Sequence, residues 1–197
     1  MSLPKKLKNY TVHNDGDNYV GQVKEISLSK IAAKMEGYRG GGMLGEVKVD
    51  LGLEGLEMEE TYGGMVPGIL RQMGAVTHDA CQTRFTGAYQ DDQTGAVTAG
   101  ELIVRGRPEE IDPGNAQAGS DTEWKVKRAL SYLRWTIGGR VEVEIDMVNC
   151  IYIVGGVDRM AQIRAAMDGD ASPLAGLISG PNVNVPGVGG FGSGTIF

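Results

Sequence analysis

The chain has 197 residues and a formal net charge of −6 at pH 7, with 31 glycines and an aromatic content of 6%. The acidic balance argues against tight binding to a nucleic-acid backbone, because such binding needs clustered lysine and arginine. The length fits one domain, and abundant glycine with few aromatic residues favours a β-rich protein over a helical bundle. Residues 1–8 are basic, but no apolar segment of membrane-spanning length follows, so we expect no membrane insertion and synthesis in the cytoplasm.

A loop with three consecutive glycines, Gly40, Gly41 and Gly42, flanked by Arg39 and Met43, is the first distinctive feature along the chain. Because glycine has no Cβ, such a loop is either mobile or held by something packed closely against its backbone. The second case favours assembly over catalysis. The alternative is a flexible hairpin connection with no role.

Two alternating runs follow the loop, residues 47–53 and 56–59, and a short break separates them. The alternation predicts two strands that form a hairpin with each other. If the apolar alternates face the core, the polar alternates lie on the opposite surface. These polar residues are Lys48, Asp50, Glu57 and Glu59.

Further strands are predicted by alternation at residues 84–89, 97–106, 124–137 and 141–147. Turn residues separate the strands at 14–16, 92–95 and 138–139, where Asn, Asp and Gly tolerate the positive φ of tight hairpins. The connections are therefore expected to be antiparallel.

Two segments have helical rather than strand periodicity. Residues 65–73 place Ile69, Leu70 and Met73 at helical spacing, and Pro67 suits a first turn. Residues 157–167 predict a second helix that ends at Gly169. Both are predicted to be short packing helices.

The composition changes at Gly169, and residues 169–197 form an extension rich in glycine and proline. Ordering such a segment costs about 1–2 kcal/mol of backbone entropy per residue, and its few large side chains do not offset that cost. We therefore expect it to dock on a neighbouring chain, with Phe191, Ile196 and Phe197 as apolar anchors.

No arrangement of residues in the sequence indicates catalysis, a metal site or a cofactor. Cys81 and Cys150 lie far apart and are expected to be thiols, and His13 and His78 have no ligand-spaced companions. Nucleophile-elbow, zinc-protease and phosphate-loop motifs are absent from the sequence. We expect a protein that is not an enzyme.

Eight short motifs occur in an order that resembles the major tail tube proteins of contractile-tailed phages. The resemblance extends over about residues 1–168, and its motifs lie at 3–9, 14–16, 38–43, 49–53, 87–92, 105–112, 144–149 and 156–159. Each motif is weak alone, whereas eight in register are specific. Similar subunits form the tubes of R-type pyocins and of type VI secretion.

The resemblance implies a mainly β subunit, an antiparallel β-sandwich or half-barrel with one or two packed helices, over residues 1–168. Six subunits would form a ring whose inner strands make a continuous β-barrel, and rings would stack into the tube of a virion tail assembled in the host cytoplasm. The implied partners are further copies of the chain, the tail sheath protein, and the tape measure protein and genomic DNA in the lumen.

The resemblance also implies roles for particular residues. The loop from Arg39 to Met43 would contact a neighbouring ring, and Lys48, Asp50, Glu57 and Glu59 would line the lumen. Family members tend to end near residue 168, so the resemblance implies nothing for the extension. A DNA-free injection particle is the first alternative function, followed by a ligand-binding β-sandwich module and, more weakly, an enzyme.

Overall fold

A computed structural model describes residues 3–169 of the chain. Residues 1–160 form one unit, and a second unit begins at Ala161. The proposed anchors Phe191, Ile196 and Phe197 lie outside the described residues, and the domain boundary at residue 168 stays a prediction. The elements in chain order are β1 Lys6–Asn14, β2 Asp17–Asn18, β3 Val23–Ser27, β4 Ala33–Tyr38, β5 Val47–Leu53, β6 Leu56–Tyr62, α1 Pro67–Gln72, β7 Cys81–Gln90, β8 Val97–Asp112, β9 Trp124–Ile137, β10 Arg140–Asp146, β11 Ile151–Val154, β12 Val157–Asp158 and α2 Ala161–Met167.

The predicted turns connect antiparallel strands. Asp15 and Gly16 both have positive φ, 48° and 91°, between β1 and β2, and Gly138 and Gly139 have φ of 58° and 84° between β9 and β10. Positive φ at both central residues is typical of type I′ hairpin turns, which match the twist of the strands they connect. The antiparallel prediction is confirmed at these connections.

Strand β9 organises the main sheet because it pairs with three other strands. Its residues 124–130 pair with β6, its residues 132–137 pair with β10, and β8 pairs along the other side. β3 pairs with β6, and the main path has the order β12-β11-β10-β9-β8-β7-β1-β2. The sheet therefore divides into two arms along β9.

The sheet curls so that strands distant in its order share one core. Val12 of β1, Met58 of β6 and Ile145 of β10 are all buried in the same cluster. On the side where the arms approach each other, the Tyr10 hydroxyl of β1 donates a hydrogen bond of 3.3 Å to the carbonyl oxygen of Val23 in β3. No backbone ladder joins β1 to β3 in residues 3–169. The mainly β prediction is confirmed, and the described chain is an open curled sheet with no closed barrel.

Helix α1 covers a second, smaller core. Pro67 lies in its first turn, as predicted, and its Ile69 is fully buried beside Tyr62 and Trp124. Neither helix in the described range is long and apolar enough to cross a membrane. α1 is therefore a packing element of the sheet.

The predicted hairpin of residues 47–59 and the predicted start of the second helix are wrong. β5 pairs with β4 in a separate two-stranded sheet, and β6 pairs with β3 and β9, so residues 47–59 do not form a hairpin. The predicted second helix begins at Ala161, because Val157 and Asp158 instead pair with β11. In the first case pairing with β3 and β9 overrides the local pattern, and in the second a tight hairpin with β11 takes up the first residues of the predicted helix.

A buried ion pair connects β6 and β9 below α1. The Arg128 Nε donates to Glu60 Oε2 over 3.0 Å, and these side chains are 1% and 0% exposed. The Tyr62 hydroxyl donates to the same Glu60 oxygen over 2.8 Å, and burial, followed by the Glu60 charge, raises the pKa of Tyr62 far above its usual range. Arg128 Nη2 also donates to Gln72 Oε1 over 2.9 Å, and Gln72 donates to Asn14 over 2.7 Å. The network thus ties α1 and β1 to the middle of the sheet.

Replacing Arg128 with methionine should lower the free energy of unfolding by about 3–5 kcal/mol, because Glu60 would remain buried without its cation. The double variant Arg128→Met/Glu60→Leu removes both charges and should recover part of that loss. Lys127→Met, on the exposed face of the same strand, is the control and should change stability little. Urea denaturation of dilute protein measures all three, and similar losses in Lys127→Met and Arg128→Met would contradict the assignment.

Candidate assembly surfaces

Strands β4 and β5 form an exposed two-stranded ribbon, residues 33–53, and one face of it is apolar except for Glu36, which lies opposite Val49. Tyr38 lies opposite Val47 in the ladder, and Val49 and Leu51 follow on the same side of β5. These four side chains are 59%, 50%, 42% and 51% exposed. An isolated two-stranded ribbon is marginally stable in water and needs a surface to pack against. Its apolar face therefore indicates a contact with another molecule.

The glycine loop forms the tip of this ribbon as a compact turn. The Met43 amide donates to the Gly40 carbonyl over 3.3 Å, and Gly42 has φ of 85° at the third position of the turn. A type II turn requires positive φ there, which favours glycine. Arg39, Gly41 and Gly42 are exposed. The structure thus presents the predicted loop at the surface of the subunit.

The four predicted lumen residues lie on two different sheets. Lys48 and Asp50 occupy the ribbon face opposite the apolar residues, and Glu57 and Glu59 occupy the exposed face of β6. Glu57 forms an ion pair of 3.1 Å with Lys127, so the acidic stripe on β6 is partly compensated. Hydrogen bonding to Glu57 raises the pKa of Lys127, which keeps this lysine charged.

The ribbon face is the feature that sequence reasoning missed. The alternation of Val47, Val49 and Leu51 predicts one face of a strand, as observed, but it also predicts that this face is buried in the core. In the structure the face is exposed. Alternation indicates that a face is apolar, and it does not indicate whether the chain itself or a partner covers the face.

Nothing in residues 3–169 is arranged for catalysis or metal binding. His78 Nδ1 lies 3.2 Å from Ser131 Oγ and 3.9 Å from Asp79 Oδ1, so both contacts use the same ring nitrogen. A catalytic triad needs the nucleophile and the carboxylate on different nitrogens. No group of three or more metal-ligating side chains occurs in this range. Cys81 and Cys150 remain thiols, as predicted.

The chain matches known tail tube proteins over nearly all of the described residues. The family described as "Phage tail tube protein FII" matches residues 4–167. The tail tube protein of Escherichia phage P2 is 44% identical over 167 residues, which cover 83% of this chain and 97% of that protein. The major tail tube protein of Serratia phage KSP20 is 37% identical over 154 residues, which cover 77% of this chain and 88% of that protein.

Solved structures with little sequence similarity share the fold. The sheath/tube terminator of an extracellular contractile injection system matches with a TM-score of 0.52 at 11% identity, over 69% of this chain and 99% of that one. A chain of the sheath-tube complex of such a system matches with a TM-score of 0.50 at 11% identity, over 68% of this chain and 91% of that one. With the family match over residues 4–167, the chain belongs to the phage tail tube protein family, and it is a structural protein rather than an enzyme.

Proposed function

We propose that six copies of this chain form a ring and that the rings stack into the inner tube of a contractile tail. The tube lies inside the sheath protein and encloses first the tape measure protein and then the DNA during ejection. Assembly takes place in the host cytoplasm. Family membership supports the tube, and the apolar ribbon face, exposed in the single chain, is the observation that carries the proposal of self-assembly.

The ribbon and its glycine turn supply the contact between subunits in this proposal. Fully burying an exposed valine or leucine side chain contributes about 1.5–3 kcal/mol, and these side chains are about half exposed, so covering the apolar face would offset part of the association cost of one subunit. Gly40, Gly41 and Gly42 let the backbone of the turn approach a neighbour closely. Arg39 and Met43, which flank the glycines, complete the contact.

Ring formation would also pair the open edges of the sheet. Strands β3 and β1 each have an edge without a ladder partner over most of their length in the described chain. Unpaired edges template aggregation, and closure of a sheet into a barrel removes them. Pairing between edges of neighbouring subunits would make the continuous barrel that a single chain lacks.

Polar substitution of the ribbon face should prevent assembly without unfolding the chain. The variant Val49→Thr/Leu51→Thr keeps a high strand propensity but removes apolar contact area. Leu70→Gln/Met73→Gln is the matched control, because these side chains of the α1 region are 49% and 51% exposed. Negative-stain electron microscopy should show rings or tubes for the wild type and the control, and single subunits for the ribbon variant.

Two results would contradict the proposal. If the wild-type protein stays a uniform monomer under all assembly conditions, the tube function is ruled out and a ligand-binding module is favoured. If the ribbon variant forms tubes as well as the wild type, the proposed contact through the ribbon is ruled out, whereas the tube function is not. In purified particles, nuclease-protected DNA distinguishes a phage tail from the DNA-free alternative.

The lumen is proposed to be net acidic, with Glu57 and Glu59 or Lys48 and Asp50 as lining residues. A carboxylate repeated around a ring forms a collar that repels phosphates, which keeps DNA from adhering as it slides. Cryo-electron microscopy of the tube should show more Asp and Glu than Lys and Arg on the channel wall. The ion pair of Glu57 with Lys127 reduces the expected charge per subunit, and a net basic wall would contradict the proposal.

The C-terminal extension is proposed to dock on another subunit or face the sheath. The match with the phage P2 protein uses 97% of that protein but 83% of this chain, so much of the unmatched sequence is particular to this chain. Truncation after Gly169 should leave the melting temperature of the β domain unchanged and weaken tube assembly or sheath binding. The variant Phe191→Ser/Ile196→Ser/Phe197→Ser should have the same effect if these residues are the anchors, and normal assembly with normal sheath binding would contradict the docking.

A further inference from the structure

The main sheet carries a group of arginines on the side opposite its core. Arg84 of β7 and Arg134 of β9 both lie opposite Ile103 of β8, one on each side of it. Arg105, two residues further along β8, shares this face because successive side chains of a strand alternate. We call these three residues and Ile103 the arginine face.

The positive charges of the arginine face are not balanced by close carboxylates. Within the described range, no Asp or Glu oxygen lies within ion-pair distance of Arg84, Arg105 or Arg134. The Nε of Arg134 is shielded from solvent and has no hydrogen-bond partner there. An arginine side chain without an ion-pair partner is stabilised when it forms charge-assisted hydrogen bonds with an anionic group.

Carboxylates flank this face, with Glu101 two residues from Ile103 on β8 and Glu144 and Asp146 on β10, and the two on β10 have other contacts. Glu144 lies opposite Arg134 in the ladder, but its Oε1 accepts a hydrogen bond of 2.7 Å from the Tyr132 hydroxyl. Asp146 accepts from the Asn149 side chain over 2.7 Å and from the Asn149 amide over 2.9 Å. Glu144 is thus held by the neighbouring strand β9, and Asp146 by the turn that follows β10.

Packing holds part of the arginine face in place before any partner binds. The Arg105 guanidinium lies 5.1 Å from the centre of the Tyr132 ring, and its Nε donates to Gln82 Oε1 over 3.4 Å. Stacked arginine loses less side-chain entropy on binding than a freely rotating lysine. Arginine, tyrosine and isoleucine without lysine are also the composition typical of protein interfaces, where lysine is depleted.

We propose that the arginine face binds an acidic surface of a second copy of this chain. This inference rests on the proposed self-assembly and names one of its contacts. The chain has a net charge of −6 although it contains the three arginines, so the remaining surface of each copy is strongly acidic. In a tube the neighbouring copy is therefore the polyanion present at the highest local concentration, and charge complementarity sets the register of the contact.

The test compares two double variants with the same change in net charge. Arg84→Gln/Arg134→Gln alters the arginine face and leaves the stacked Arg105 in place. Arg71→Gln/Arg159→Gln removes two exposed arginines elsewhere, on α1 and directly after β12. Sedimentation measures the protein concentration at which tubes form, at low salt and at high salt, and thermal denaturation confirms that each variant is folded.

The face variant, Arg84→Gln/Arg134→Gln, should form tubes at low salt only at a protein concentration at least about tenfold higher than the wild type needs. This factor corresponds to about 1.4 kcal/mol per contact. Its assembly should also depend less on salt than that of the wild type, because screening acts on the charges that were removed. The control variant should assemble like the wild type. Equal assembly of the two folded variants would overturn the inference while leaving self-assembly intact.

The same proteins separate the protein partner from a nucleic-acid partner. If the face instead held phosphates, wild-type subunits would retain duplex DNA at low salt and the face variant would not. That result, together with unchanged assembly of the face variant, would overturn the proposal. Failure of the wild type to assemble would count against the proposed tube function itself.

Discussion

The buried pair of Arg128 and Glu60 is the constraint on which the arrangement of the sheet depends. An ion pair with no access to water adds little net stability compared with apolar residues of similar size, but it strongly disfavours any register that leaves one charge unpaired. Here it fixes β6 against β9 at the place where the sheet divides. Through Gln72 and Asn14 the same network holds α1 and the first hairpin. The pair therefore fixes the register of β6 at the point where the two arms of the sheet separate.

The exposed ribbon is a consequence of where this sheet ends. Strand β6 is held by β3 and β9, so β5 has no place beside it and pairs with β4 away from the core. The backbone hydrogen bonds of the ribbon are satisfied locally, yet its apolar side chains are not buried. A chain that places valine and leucine on such an arm gains stability only when another surface covers them. In the proposed assembly, folding of the subunit and association between subunits therefore depend on different strands.

Local patterns predicted many elements of this fold from the sequence. The strand predicted at 124–137 corresponds to β9, and the glycine and aspartate turns have the positive φ that was expected. β1 and β4 escaped prediction because the alternation is interrupted, by Asn9 at a bulge in β1 and by Gly37 in β4. The pairing of β5 with β4 could not be predicted, because alternation shows which residues share a face and carries no information about the neighbouring strand. Arg128 lies in the inward register between Val126 and Leu130, and a charge at that position is a signal of a buried partner that the sequence analysis did not use.

Net charge alone misrepresents the surface of this protein. The value of −6 predicted a chain that repels phosphates, yet the described sheet collects three unpaired arginines on one face and pairs its exposed lysines Lys24 and Lys127 with acids. A surface with segregated charge can repel a polyanion on one side and attract a neighbouring subunit on another, because each interaction is screened beyond about 8 Å in physiological salt. The proposed tube needs both properties at once, because its subunits must bind one another while its wall must not bind the DNA. The position of charge on particular strands, rather than its total, therefore determines what each face of the subunit can do.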